Sequence, residues 1–266
     1  MPTPSRCLRK AYSAVHACAT SQVGLSAICT LPKGLLRRLY VTSGCKGGAG
    51  KSTVACLLAY TLSQEGFSVM LLDLGGGDSG LLCLGRAPTC ENPTGGDSPL
   101  EDLQESPLSS SLYVTSAPSL FSDGVLPENL ESLYAVKPDI VVIDTGSCTT
   151  CCPDALLDLY IFVALPNWLS WYAYHRWLKK VGAYVRRDNL LLLLNMYQSL
   201  LADWRRRYAA VVEHLAVLSY DPALTFTYTR NIAEAFLVLG RGTRKNLQDI
   251  LNMLTTLLQG TRSQET

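Results

Sequence analysis

Residues 39–73, LYVTSGCKGGAGKSTVACLLAYTLSQEGFSVMLLD, constrain the fold more than any other part of the chain. An apolar, strand-forming run ends at Thr42. Four glycines in the next eight residues break it, and an Ala- and Leu-rich helical stretch opens near Lys51. Strand, glycine-rich turn and helix together aim backbone N–H groups at an anion. The glycines let the chain wrap the anion without side-chain collision, and the helix N-terminus adds partial positive charge. Gly50-Lys51-Ser52-Thr53 matches the core of the phosphate-loop pattern G-x-x-x-x-G-K-[ST], whose first glycine would fall at Cys45, one residue after Gly44. In that pattern Lys51 meets the β- and γ-phosphates, and the Ser52 hydroxyl is an oxygen ligand suited to Mg²⁺. The competing reading, a turn whose glycines serve packing alone, is disfavoured by the strand–loop–helix context.

The rest of the chain alternates short apolar runs with helical periodicity. Strands are expected over 39–42, 68–73, 112–115, 139–144, 159–164, 190–195 and 215–219, and helices over 51–64, 127–135, 168–186, 199–214, 231–239 and 245–258. Most strands are continuously apolar, as in a sheet covered on both faces. The expected fold is α/β: a doubly wound, mostly parallel sheet with helices on both faces, a three-layer α/β/α P-loop NTPase domain over 39–260. Residues 1–38 read as a basic, poorly ordered N-terminal extension. The Pro-, Gly- and Ser-rich stretch 86–107 reads as a surface loop with one short helix over 99–104.

Composition removes several alternatives. With 48% hydrophobic and 17% charged residues the chain has ample core material, which excludes intrinsic disorder. Apolar runs such as 190–194 fall far short of the ~18–20 residues that span a bilayer. The net charge of +1 names no partner, but its distribution is uneven. Residues 1–64 hold eight cations and no acid, leaving 15 cations against 22 acids in the remainder. The ten cysteines are scattered rather than arranged as a disulfide framework, so a reducing, cytoplasmic location is expected.

The extra lysine at Lys46, in KGGAGKST, resembles the deviant Walker A motif of ParA/MinD-type ATPases. In that family this lysine reaches across a dimer interface to the partner's ATP. Other segments are similar to the family's as well: SVMLLD, ending in Asp73 of the A′ motif; DIVVIDTG, a Walker B strand with Asp144 near the metal; and LLLLLN, whose Asn195 would read adenine. The resemblance implies ATP and Mg²⁺ as cofactors and a nucleotide-binding set of Cys45, Lys46, Gly47, Gly48, Ala49, Gly50, Lys51, Ser52, Thr53 and Asn195. It further implies Ser52 and Asp144 as metal-site residues, and Lys46, Lys51, Asp73 and Asp78 as catalytic residues. It also implies a homodimer when ATP is bound, with a cargo or activator protein as partner. One departure stands out. The family's second switch I aspartate falls at Gly75 in DLGGGDSG, with Asp78 as a substitute three residues on, so slow or partner-dependent hydrolysis is expected.

Four further features carry alternatives. Cys148, Cys151 and Cys152 form C-x-x-C-C after Asp144, suited either to a dimer-bridging iron–sulfur cluster or metal, or to free thiols. Arg176, Lys179, Lys180, Arg186, Arg187, Arg205, Arg206 and Arg207 form a basic region that would hold DNA non-specifically or simply be a solvated helix face. The cluster Trp168, Trp171, Tyr172, Tyr174 and Trp177 divides between core and a partner surface. Leu247, Ile250, Leu251, Leu254, Leu257 and Leu258 form an apolar stripe. It favours packing on the sheet over peripheral membrane contact, because its polar face is built of Asn, Gln, Asp and Thr rather than being lysine-rich. The expected surface is the nucleoid or the inner membrane.

Overall fold

The computed structural model of the chain describes residues 36–44, 47–75, 78–85, 103–116, 136–146, 157–182, 185–225 and 231–260. The extension before residue 36, Cys45, Lys46, the Asp78 side chain, the expected helix over 127–135 and Cys148, Cys151 and Cys152 lie outside the described residues.

Strand β1 (Arg37–Thr42) begins two residues before the apolar run that announces it. Its polar start is held by the Arg37 N–H on Asp139 O at 2.9 Å and by the Arg37 guanidinium on Asp158 Oδ1 at 2.9 Å. Helix α1 (Lys51–Gln64) follows, then β2 (Val69–Asp73), α2 (Asp78–Cys83), β3 (Gln104–Glu105), β4 (Leu112–Ser116), β5 (Ile140–Asp144) and β6 (Leu159–Ala164). The C-terminal half adds α3 (Trp168–Val181), β7 (Leu190–Tyr197), α4 (Ala202–Ala209), β8 (His214–Ser219), α5 (Pro222–Thr225), α6 (Ile232–Leu237) and α7 (Arg241–Gly260). The sheet order is β3-β4-β2-β5-β1-β6-β7-β8, parallel throughout except for β3 against β4. Strand β1 lies between β5 and β6, so the winding reverses beside it. The C-terminal end of β1 is therefore the switch point at which ligands bind in open α/β sheets.

Each strand is apolar on both sides because each side feeds a different core. Leu39 and Val41 point to the layer of α1, α2, α6 and α7, and Tyr40 to the opposite layer, where Phe162 meets Tyr174 edge to face and packs tilted against Trp177. Helix α1 is buried from Val54 to Ser63, which explains its lack of a polar stripe. The apolar stripe of α7 lies in the core, none of its six residues more than 6% exposed, so it packs on the sheet. Truncating Leu251, which is fully buried there, should cost about 2–5 kcal/mol of unfolding free energy, read as a lower denaturant midpoint at unchanged slope.

Three expectations shift. The proposed helix over 99–104 is not seen at its described end: Gln104 and Glu105 pair antiparallel with Val114 and Tyr113. The buried Ser106 N–H on Leu112 O (2.8 Å) fixes that hairpin, so non-local pairing overrides local composition. The helix over 168–186 ends at Val181, before Gly182. The helix over 199–214 shortens to α4 after a single 3₁₀ turn, because His214 is drawn into β8 opposite Leu191.

Candidate functional site

The loop after β1 enters α1 through Gly50 at φ +78°, ψ 21°, a left-handed conformation that glycine adopts without strain. Among the described residues no side chain caps the helix, and its first turn carries no acid, so its leading N–H groups remain available to an anion. Lys51 Nζ lies 4.0 Å from Asp144 Oδ1, which also accepts the Gly146 N–H at 3.1 Å. Asp144 is 1% exposed, and its Oδ2 has no hydrogen bond of ordinary geometry among the described residues, nor does the adjacent Thr145 hydroxyl. Burial pushes the Asp144 carboxyl above the usual range and nearby Asp73 adds to this. Lys51, the Ser52 hydroxyl and the Gly146 N–H act in the opposite direction without cancelling it. A buried carboxylate with an idle oxygen beside a serine hydroxyl suits a hard divalent cation, and the lysine beside it suits phosphate. The donor set therefore fits Mg²⁺ and a nucleotide triphosphate.

Asp73 is placed differently. It stands level with Asp144 on the adjacent strand, and its carboxylate is occupied within the chain. Oδ1 accepts the Gly75 N–H at 2.7 Å, while Oδ2 accepts the Ser79 hydroxyl at 2.6 Å and the Gly80 N–H at 3.0 Å. Asp73 thus fastens the start of α2 to the end of β2. Each strand-terminal aspartate holds the N–H of the glycine two residues on, and these glycines touch. A Cβ on Gly75 would stand 2.6 Å from Gly146 Cα, and one on Gly146, at φ +58°, would stand 2.1 Å from Gly75 Cα. The position that the family resemblance assigns to an aspartate therefore has no room for a side chain in this arrangement. The missing acid is legible in the sequence but its cause is not, since Gly75 and Gly146 are 71 residues apart and nothing local links them.

Asn195 donates from Nδ2 to Ala49 O at 2.9 Å and accepts the Met196 N–H on Oδ1 at 2.9 Å, tying the end of β7 to the phosphate loop. A Cβ on Gly50 would come within 2.4 Å of that Nδ2, a second reason for glycine there. Asn195, Met196 and Thr53 border a narrow space whose far wall, Ser219 to Asp221, also lines an open cleft of about 610 Å³ reaching Gly240 and Thr243. Burial raises the Asp221 carboxyl, but the Gly240 N–H, the Thr243 hydroxyl and the Ala223 N–H outweigh it and hold it below its ordinary value. Asp221 is absent from the residues expected at the site. An Asp-Pro after a predicted strand at the same sheet end was the available signal. Among the described residues no cluster of His, Cys, Asp and Glu could hold a metal ion by itself.

A phosphate-type loop at the switch point of a doubly wound sheet defines a P-loop nucleotide-binding protein. A sequence model of the CobQ/CobB/MinD/ParA nucleotide-binding domain matches residues 40–264, and the chain belongs to that family. Solved structures agree in fold. The MinD cell division protein of Aquifex aeolicus superposes with TM-score 0.61 at 16% identity, covering 83% of this chain and 97% of that one. MinD of Pyrococcus horikoshii, complexed with Mg-ADP, gives 0.57 at 22% identity over 84% and 99%. A Borrelia burgdorferi protein assigned to plasmid partition, bound to AMPPNP, gives 0.58 at 15% identity over 83% and 99%. No curated protein sequence matches the chain.

Proposed function

We propose that this protein is a nucleotide-dependent dimerisation switch that binds ATP with Mg²⁺ and positions cellular cargo, in segregation, division-site selection or placement of a pilus or flagellum. The observation that carries the reading is the start of α1, uncapped by any described side chain, with Lys51 4.0 Å from a buried Asp144 whose Oδ2 has no hydrogen bond of ordinary geometry among the described residues. Residues Gly47 to Thr53 would cradle the phosphates, Ser52 and Asp144 would hold the cation, and the space beside Asn195 would take the base. The bound cation neutralises phosphate charge. Lys51 and the α1 N–H groups orient the phosphates, and Lys46 of each chain completes the other's site. Nucleotide can drive such a switch only through contacts made in the dimer and absent in the monomer.

Hydrolysis in this reading is weak or partner-stimulated. The supporting observation is the Gly75–Gly146 contact, which leaves no place at 75 for a carboxylate to orient water. A protein that never turns ATP over, alone or with added DNA or lipid, would be a nucleotide-bound scaffold instead.

The deciding experiment is the oligomeric state with ADP and with ATP. Wild type should dimerise with ATP alone, and Lys46→Ala should stay monomeric while retaining ATP-dependent thermal stabilisation. Identical elution of both proteins in both nucleotides would rule out the switch.

A further inference from the structure

Helix α3 turns Ser170, Tyr174, Trp177 and Val181 into the core and presents a two-part outer face. Toward its N-terminus Trp168, Leu169 and Tyr172 are 61%, 66% and 66% exposed; toward its C-terminus come exposed Arg176, Lys179 and Lys180. The neighbouring turn adds Leu200 at 79% exposure, and α4 adds exposed Arg205, Arg206 and Arg207. The two elements form one ridge. Trp168 and Trp204 meet edge to face at 5.0 Å, and the Arg207 guanidinium lies over both rings, 4.8 Å from Trp168 and 5.6 Å from Trp204. Six cations face one acid, Asp203, which is paired with Arg206, on a chain whose net charge is only +1.

We infer that this ridge docks on the surface of an anionic lipid bilayer. Protruding Trp, Tyr and Leu beside a dense set of Arg and Lys suit the boundary between headgroups and acyl chains, where apolar side chains leave water and cations meet lipid phosphates. A nucleic acid would satisfy the cations and stack on the rings, but it offers nothing to Leu169 and Leu200. Neither cleft described above opens on this ridge, so what it offers is protruding rather than concave surface, the shape that enters a headgroup layer. The binding is peripheral, because no helix of the described residues is long and apolar enough to cross a membrane. The stripe on α7, the other apolar face considered above, is buried and cannot serve.

The ridge is also joined to the nucleotide site. The inner side of α3 seats on the first turn of the phosphate loop, where a Cβ on Gly44 would stand 2.8 Å from Trp177 Cβ and 3.0 Å from Ala173 O. Any coupling of lipid to nucleotide rests on the function proposed above; the docking itself does not.

The test is flotation of the full chain with vesicles of phosphatidylcholine alone or with about 30 mol % phosphatidylglycerol, at ~0.1 M salt. The wild type should bind the anionic vesicles roughly tenfold or more tightly than the neutral ones, with a blue shift of tryptophan emission and weakening as salt rises. Leu169→Asp with Leu200→Asp should lose that binding at an unchanged melting temperature, since both side chains stand in solvent. Three results overturn the inference: no binding to anionic vesicles, equal binding by the double variant, or binding of a short random-sequence DNA duplex only, with vesicles ignored. Wild-type protein that ATP-Mg stabilises but vesicles do not bind overturns the inference alone. Protein that binds vesicles but shows no response to nucleotide overturns the switch and leaves the docking surface standing.

Discussion

Gly146→Ala should destabilise the protein by about 3 kcal/mol or more, at the upper end of single substitutions. Two costs combine. Gly146 sits at φ +58°, where an L side chain is disfavoured by about 1–2 kcal/mol. Its new Cβ would then meet Gly75 Cα at 2.1 Å, a contact with backbone that no rotamer change relieves. The loops after β2 and β5 would have to separate, dragging the Gly75 and Gly146 N–H groups off Asp73 and Asp144. Gly75→Asp meets the same obstacle at 2.6 Å and brings a third carboxylate beside Asp73, its Cβ 3.3 Å from Asp73 Oδ1. Restoring the acid that the family resemblance implies should therefore lower the melting temperature and leave ATP hydrolysis no faster. A stable Gly75→Asp protein with clearly faster turnover would show that the two loops part readily and that their contact does not limit the chemistry.

Asp144→Asn and Lys51→Ala should move stability in opposite directions while both impair nucleotide binding. Burial raises the Asp144 carboxyl above its unfolded value, so the fold favours the protonated form. The associated stabilisation is complete below the ordinary carboxylate range and is lost as pH rises through the raised folded value, so the ligand-free protein should weaken over that window. Asn cannot ionise. The variant should flatten this dependence and be more stable than wild type near neutrality in the absence of ligand, read as a higher melting temperature at pH 7 and a flatter pH profile. Lys51→Ala removes the largest influence holding the carboxyl down, which widens the window and destabilises the ligand-free protein at pH 7. Wild type at about 100 times its Kd for ATP-Mg should gain ~2.7 kcal/mol from the ligand. Both variants should lose most of that gain, measured as the nucleotide-induced change in melting temperature. If Asp144→Asn kept the full gain, the idle oxygen of Asp144 would have no part in holding the cation.

In the proposed function, two glycines separate how the site would bind nucleotide from how fast it would turn it over. Lys51, Ser52 and Asp144 gather where a triphosphate and its cation would lie, whereas Asp73 spends its carboxylate on holding α2. The contrast between two aspartates at matching strand ends comes from their surroundings: among the described residues one has hydrogen-bond donors on both oxygens, while the other keeps one oxygen idle.

The sequence by itself determined the doubly wound α/β architecture and the place of the phosphate loop, because those signals are local. Continuous apolar runs mark strands buried on both faces, a glycine-rich break followed by Lys51 and Ser52 marks an anion cradle, and the spacing of Leu247 to Leu258 marks a packed helix face. Only the tertiary structure decided the rest. The antiparallel β3, the tether from Asn195 to Ala49, the contact of Gly75 with Gly146 and the stacking of Arg207 over Trp168 join residues up to 146 positions apart. The most distant of them meet because parallel strands return to the same sheet end after long connections. Which side chains then face each other depends on strand order and register, which hydrophobic periodicity does not encode.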